Sequence, residues 1–236
     1  MDQSVNVNGS TMPVNVMWTG GWDSTFRVLD LALRQQRRVQ PHYVRRDARK
    51  SNAHELAAMR AILALVLHRH GPAVAGRIAP LIVAEHAALT IPPTLRQWHR
   101  ALRQHYPLVP QYLFLHAYAL HAGLTDLELG VVRSDSLADF LRPHLVTAGD
   151  GLILAAEVRL PALALMRPFR FPLLNLTKTE AGARAETAGF LPEMMLTHFC
   201  HRPLPTGAPC GNCYTCVQTA AQGLGWRIPN DDWLPR

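Results

Sequence analysis

The chain has 236 residues, 48% of them hydrophobic and 17% charged, the make-up of a globular protein with a sizeable core; this excludes a disordered or fibrous chain. Its net charge of +7 suits a polyanionic ligand, whether a nucleotide or RNA. No run of about 18 uncharged apolar residues occurs, so no transmembrane helix is expected.

Met1–Met12 is polar and carries only Asp2 as a charge. It reads as part of a short disordered lead-in over residues 1–13, unlike a signal peptide, and a cytoplasmic protein is the simplest expectation. Val14–Trp18 is a short apolar run that fits a buried strand. From Ser24 onward the apolar residues Phe26, Val28, Leu29, Leu31 and Leu33 take helical spacing, with Asp23 or Ser24 as N-cap. Between strand and helix lies Thr19-Gly20-Gly21-Trp22-Asp23-Ser24-Thr25. Glycines there open backbone angles closed to other residues and leave amides bare toward a ligand. The turn stands at the positive end of a helix, a place for phosphate. Thr19 and Ser24 add hydroxyls, and Asp23 suits a magnesium ion bridging phosphates. An ordinary capped strand–helix corner is the alternative.

Farther along, Val39–Val44 reads as a second strand and Ser51–His70 as a long helix with Leu56, Met59, Ile62, Leu63, Val66 and Leu67 as its stripe, stopped by Gly71-Pro72. On either side of that strand, Arg37, Arg38, Arg45, Arg46, Arg49 and Lys50 form the densest basic region. Pro80–Ala84 is a third strand; Pro92–Gln104 and Pro110–Ala122 read as helices, the second buried; Asp126–Val132 is a fourth strand, and Ser134-Asp135-Ser136 leads into a helix to about Thr147. Phe171–Leu176 leads into Thr177-Lys178-Thr179-Glu180, which opens a helix to Ala188. Lys178 at that helix start opposes the dipole unless an anion lies near. Strands alternating with helices imply a doubly wound, mostly parallel α/β sheet, whose ligands bind beyond the strands' carboxyl ends.

All four cysteines, Cys200, Cys210, Cys213 and Cys216, lie in one segment. This spacing fits a closed tetrahedral Zn²⁺ site, with an iron–sulfur cluster or disulfides as alternatives and His198 and His201 nearby. Domain 14–195 is then the nucleotide-binding unit and 196–236 a zinc-bound C-terminal extension.

The Thr-Gly-Gly-x-Asp-Ser turn resembles the Ser-Gly-Gly-x-Asp-Ser loop of the ATP pyrophosphatases, the PP-loop enzymes of the adenine nucleotide alpha hydrolase-like fold. Together with Pro172–Glu180 and the cysteine segment, in that order, it resembles the 7-cyano-7-deazaguanine synthase family of the queuosine pathway over roughly Val14 to Leu224. Arg49–Glu55 also stands where that family carries a basic turn followed by Glu. The resemblance implies ATP and Mg²⁺ bound by Thr19, Gly20, Gly21, Asp23, Ser24 and Thr25, with Asp23, Ser24 and Lys178 catalytic. It implies zinc on the four cysteines, and an acid activated by ATP to give an amide or nitrile with release of AMP and pyrophosphate. This chain departs from the family at Val109–Phe114, which lacks Gly-Arg-Asn, and at Gly130–Phe140, which lacks Tyr-Pro-Asp-Cys-Arg. Those departures allow a larger acid or a protein or tRNA acceptor; a non-catalytic nucleotide-binding module is the third reading. A homodimer fits the sequence as well as a monomer does.

Overall fold

The computed structural model describes residues 12–47 and 49–228. Most of the expected lead-in, and residues 229–236 of the expected extension, lie outside them. The strands are β1 (Val14–Met17), β2 (Val39–Arg45), β3 (Ile82–Glu85), β4 (Leu127–Glu128), β5 (Leu145–Ala148), β6 (Gly151–Leu154) and β7 (Phe169–Phe171). They form a seven-stranded sheet in the order β3-β2-β1-β4-β7-β6-β5. Its β3, β2, β1, β4 and β7 are parallel, while β6 is antiparallel to both β7 and β5. The mostly parallel α/β sheet expected from the sequence is what forms.

The helices are α1 (Trp22–Leu29), α2 (Asn52–His70), α3 (Pro72–Ala75), α4 (Pro93–Leu102), α5 (Gln111–His121), α6 (Ser136–Leu141), α7 (Lys178–Thr187), α8 (Leu191–Met195) and α9 (Tyr214–Thr219). Alternation along the central strands divides the core between two faces. Val16, Trp18 and Tyr43 pack with α1, α2, α7 and α8. Met17 and Val44 point the other way, into α4, α5 and the 3-10 segment Pro161–Met166. Helices on both faces make the sheet doubly wound. Consecutive strands β1, β2 and β3 run outward in one direction, then the chain returns to lay β4 on the free side of β1. That reversal of strand order opens a crevice at the carboxyl ends of β1 and β4.

Several boundaries differ from the sequence reading. Helix α1 begins at Trp22 with Gly21 as its N-cap, so Asp23 and Ser24 sit inside the first turn, and a π-helical turn, Asp30–Arg34, prolongs it. On α2, Met59, Ile62 and Val66 are buried, but Leu67 is 50% exposed. β4 is only two residues long. The helix expected to reach Thr147 stops at Leu141, because Pro143 cannot continue it; a 3-10 turn and the β5–β6 hairpin follow. Gly149, at φ +60°, makes that hairpin's turn.

Asp150 from the same turn reaches back to α1. Arg27 is 4% exposed and donates to both oxygens of Glu128, at 2.6 and 2.8 Å, and to Asp150 at 2.6 Å. Burial works against the guanidinium's charge, but these two carboxylates outweigh it and raise its pKa above the ordinary value. The cluster bolts α1 to β4 beneath the crevice. Arg27→Met should strand the buried Glu128 carboxylate and cost roughly 3–5 kcal/mol in denaturant unfolding. A loss below about 1 kcal/mol would show the cluster to be dispensable.

Candidate functional site

The turn after β1 is held between α2 and the segment that follows β4. Gly20 adopts φ +68°, and a Cβ there would lie 2.8 Å from the backbone oxygen of Glu55, so only glycine lets the turn pass α2. Gly21, by contrast, is extended at φ −82°, so the need for an unusual backbone angle falls on Gly20 alone. Gly130 does the same service after β4: a Cβ would come within 3.0 Å of Ser24 N and 3.2 Å of Asp23 Cβ. Gly20→Ala should therefore cost roughly 1–3 kcal/mol, read as a lowered melting temperature. A variant as stable as the parent would contradict this reading of the turn.

The hydroxyls divide by role. Thr19 Oγ1 and Ser24 Oγ lie 3.2 Å apart, and Thr19 N donates to Ser24 Oγ at 3.2 Å. Thr19, Gly21, Asp23 and Ser24 line the cavity above the turn. Thr25 is fully buried and accepts from the Trp18 indole at 2.9 Å. Its hydroxyl belongs to the packing below the turn, and Gly20 to the contact with α2.

Lys178 meets Asp23 across the crevice. Thr177 caps α7 through a capping box with Glu180, which places Lys178 at the first helical position. Its ammonium pairs with Asp23 Oδ2. This carboxylate is the anion that offsets a lysine at the positive end of a helix. Asp23 Oδ1 is buried with no hydrogen-bond partner among the described residues. Burial raises the Asp23 pKa, with Lys178 pulling it down and Asp135 adding to the rise. An unpartnered carboxylate oxygen beside a cation, in a turn with bare amides, fits a bound cation and phosphate group.

The space above the turn is a crevice rather than one closed pocket. One lobe, about 260 Å³, runs between Met17, Tyr43, Val44, Arg46, Tyr112 and Leu129. A second, about 270 Å³, passes Lys178, His198, Phe199 and Arg227. Both share Thr19, Gly21, Asp23, Arg49 and Asp135. A wider mouth of about 1810 Å³ carries Arg46, Arg49, Lys50 and Arg202, with Gln111, Tyr112 and Leu137 from the two departing segments. The basic region is thus split. Arg46, Arg49 and Lys50 face the crevice, while Arg45 pairs with Glu85 at 2.9 Å and Arg37 with Asp150 at 3.8 Å. Arg49 is itself held by buried Glu55 at 2.9 Å.

The four cysteines converge at the far end of the crevice. Their sulfurs lie within 4.8 Å of one another, with pairs at 3.4, 3.5, 3.9 and 4.0 Å. A tetrahedron with metal–sulfur bonds of about 2.3 Å has edges of about 3.8 Å, so the donor set fits zinc. All four are free cysteines in this structure. Gly211 turns the chain at φ +77°, and Cys210 N donates to Cys200 Sγ at 3.3 Å. Burial and neighbouring thiols raise Cys216, whereas donation to Cys213 from Thr215 and backbone N–H groups outweighs its burial and brings it to about 6. A bound metal ion would hold the ligating thiols as thiolates. His198 and His201 stay outside the sulfur cluster: His198 Nε2 bonds Cys200 O at 2.6 Å and His201 Nε2 meets Arg49 at 3.0 Å.

Sequence reading gave Trp22 no role within the turn and missed Asp135, Gly182 and Arg227 as its neighbours. Asp135 accepts from Val132 N at 3.0 Å and from Gln222 at 3.1 Å, which seats α6 on the C-terminal segment. Only long-range packing reveals these. Among the described residues no helix is long and apolar enough to cross a membrane.

No protein-family model and no curated protein matches this chain. Among solved structures it is similar to a chain from a 4-thiouridine synthetase–RNA complex with bound ATP, at 15% identity and a TM-score of 0.40. The alignment covers 92% of this chain and 50% of that one, so this chain spans half the length of that synthetase.

Proposed function

We propose that the protein is an ATP-dependent enzyme that activates a carboxylate, most simply a 7-deazaguanine carboxylic acid, and passes it to an amine. The observation that carries this reading is Asp23, one oxygen on Lys178 and the other unpartnered, at the mouth of the glycine turn. The order of turn, Lys178 segment and cysteine segment, which resembles the nitrile-forming family, supports it.

In this reading the Gly21 amide and the hydroxyls of Thr19 and Ser24 bind the phosphates, and Lys178 neutralises the leaving group. Asp23 would hold Mg²⁺, which supplies charge neutralisation between phosphates when bound. The substrate carboxylate oxygen bonds to the α-phosphorus as the bond to the β-phosphate oxygen breaks, and pyrophosphate leaves. Ammonia then displaces AMP, giving an amide and releasing a proton; activation of that amide by a second ATP would yield a nitrile. The cysteines would hold zinc in a structural role, since a site with four protein ligands leaves no open position.

A second reading, a larger anionic acid or acceptor such as tRNA or a protein, is favoured by the width of the mouth and by its cations Arg46, Lys50 and Arg202. It is also favoured by the position of the departing residues Gln111, Tyr112 and Asp135 on that mouth. Incubation with 7-carboxy-7-deazaguanine, ammonia and Mg·ATP, followed by mass spectrometry, separates the two. Amide or nitrile supports the first; neither product, with ATP consumed only when RNA or protein is added, supports the second.

A further inference from the structure

Trp22 occupies the variable position of the turn and joins the two segments that bear Asp23 and Lys178. Its indole N–H donates to the backbone carbonyl of Lys178 at 3.0 Å. The ring is 4% exposed and lies against Gly182, where a Cβ would come within 3.1 Å of Trp22 Cζ2. The Arg227 guanidinium covers it, 4.9 Å from the ring centroid, and Trp226 meets it edge-on with centroids 6.5 Å apart. The indole is therefore clamped between α7 and the C-terminal segment, and its one polar atom is spent on the residue whose ammonium pairs with Asp23.

Any large apolar side chain could fill this space, but among ring side chains filling it only an indole also places an N–H on that carbonyl. A lysine side chain is long and rotamer-rich, and holding its head in one place requires a fixed backbone at its base. The tether sets the separation of the first turns of α1 and α7, and that separation brings Lys178 onto Asp23. We propose that Trp22 is a positioning residue that acts through Lys178, keeping the ammonium over the turn where the leaving phosphates would lie. Its kinetic consequence rests on the ATP-using reading; its geometric consequence does not.

The two lysines of the chain are Lys50 and Lys178, and Lys50 is exposed, so it serves as an internal standard for amine chemistry. Trp22→Phe keeps an aromatic ring and removes the N–H. In the ligand-free protein, pulse labelling with an amine-reactive ester and mass spectrometry should show the Lys178-to-Lys50 labelling ratio rising several-fold, with the melting temperature nearly unchanged. Should that variant fold poorly, Gly182→Ala, which crowds the indole from α7, should raise the ratio in the same direction. In turnover, Trp22→Phe should lower kcat roughly tenfold, about the effect of one hydrogen bond, and should add no loss in a Lys178→Ala background. An unchanged labelling ratio, or losses that add independently of Lys178, would overturn the proposal. If the parent protein turned over no ATP, the enzymatic reading would fall while the labelling ratio still decided the role of Trp22.

Discussion

Asp23→Asn is expected to reduce ATP-dependent turnover by at least about 10²–10³-fold while leaving the protein folded. The substitution keeps the shape of the side chain but removes the charge that faces Lys178 and the unpartnered oxygen at the crevice. It removes no apolar packing. The effect should appear in kcat and in the Mg²⁺ dependence, with the far-ultraviolet spectrum and melting temperature close to the parent's. Asp23 is 17% exposed and already paired, so alanine at this position would also strand the Lys178 ammonium; asparagine isolates the chemistry better. Parental turnover by the asparagine variant would mean that the reacting phosphates bind elsewhere.

Cys213→Ser should have the largest effect on folding. Four thiols within 4.8 Å of one another form a small cluster of their own with Ile228 and Phe199. That cluster is small for an apolar core, so a bound metal would supply folding free energy for the segment. The consequence reaches the glycine turn, because His198 N donates to Gly20 O at 2.9 Å and Arg227 rests on Trp22. Elemental analysis should find about one zinc per parental chain and none in the variant. The variant should melt at lower temperature and be cut by protease within residues 196–228. Metal-free parental protein of full stability would contradict the zinc site; iron with inorganic sulfide would replace it with a cluster.

The parts of this architecture that depend on local pattern were legible in the sequence. Val14–Met17, the α2 stripe through Met59, Ile62 and Val66, and the stop at Gly71 follow from period and punctuation. So did the convergence of the cysteines, whose spacing already matches a ligand set. The start of β5 was read as the end of a helix, because Leu137 to Val146 is apolar enough for either state, and β6 was not assigned; Pro143 and the Gly149-Asp150-Gly151 turn were the available signals. The start of α1 moved to Trp22, with Gly21 rather than Asp23 or Ser24 as its N-cap, and the indole of that first residue bonds Lys178, far along the chain. Thr25 was read as part of the phosphate turn; its buried hydroxyl accepts from the Trp18 indole, seven residues earlier. Among the glycines, no local rule distinguishes Gly20 from Gly21; the approach of the Glu55 carbonyl does.

The central claim, attack of a substrate carboxylate on the α-phosphorus of ATP above Asp23 and Lys178, has a direct isotopic signature. The measurement is incubation of the parental protein with Mg·ATP, ammonia and 7-carboxy-7-deazaguanine carrying ¹⁸O in its carboxylate, with mass analysis of the nucleotide products. The expected result is AMP bearing one ¹⁸O, formed together with unlabelled pyrophosphate. ADP and phosphate, AMP without label, or no nucleotide turnover would contradict it.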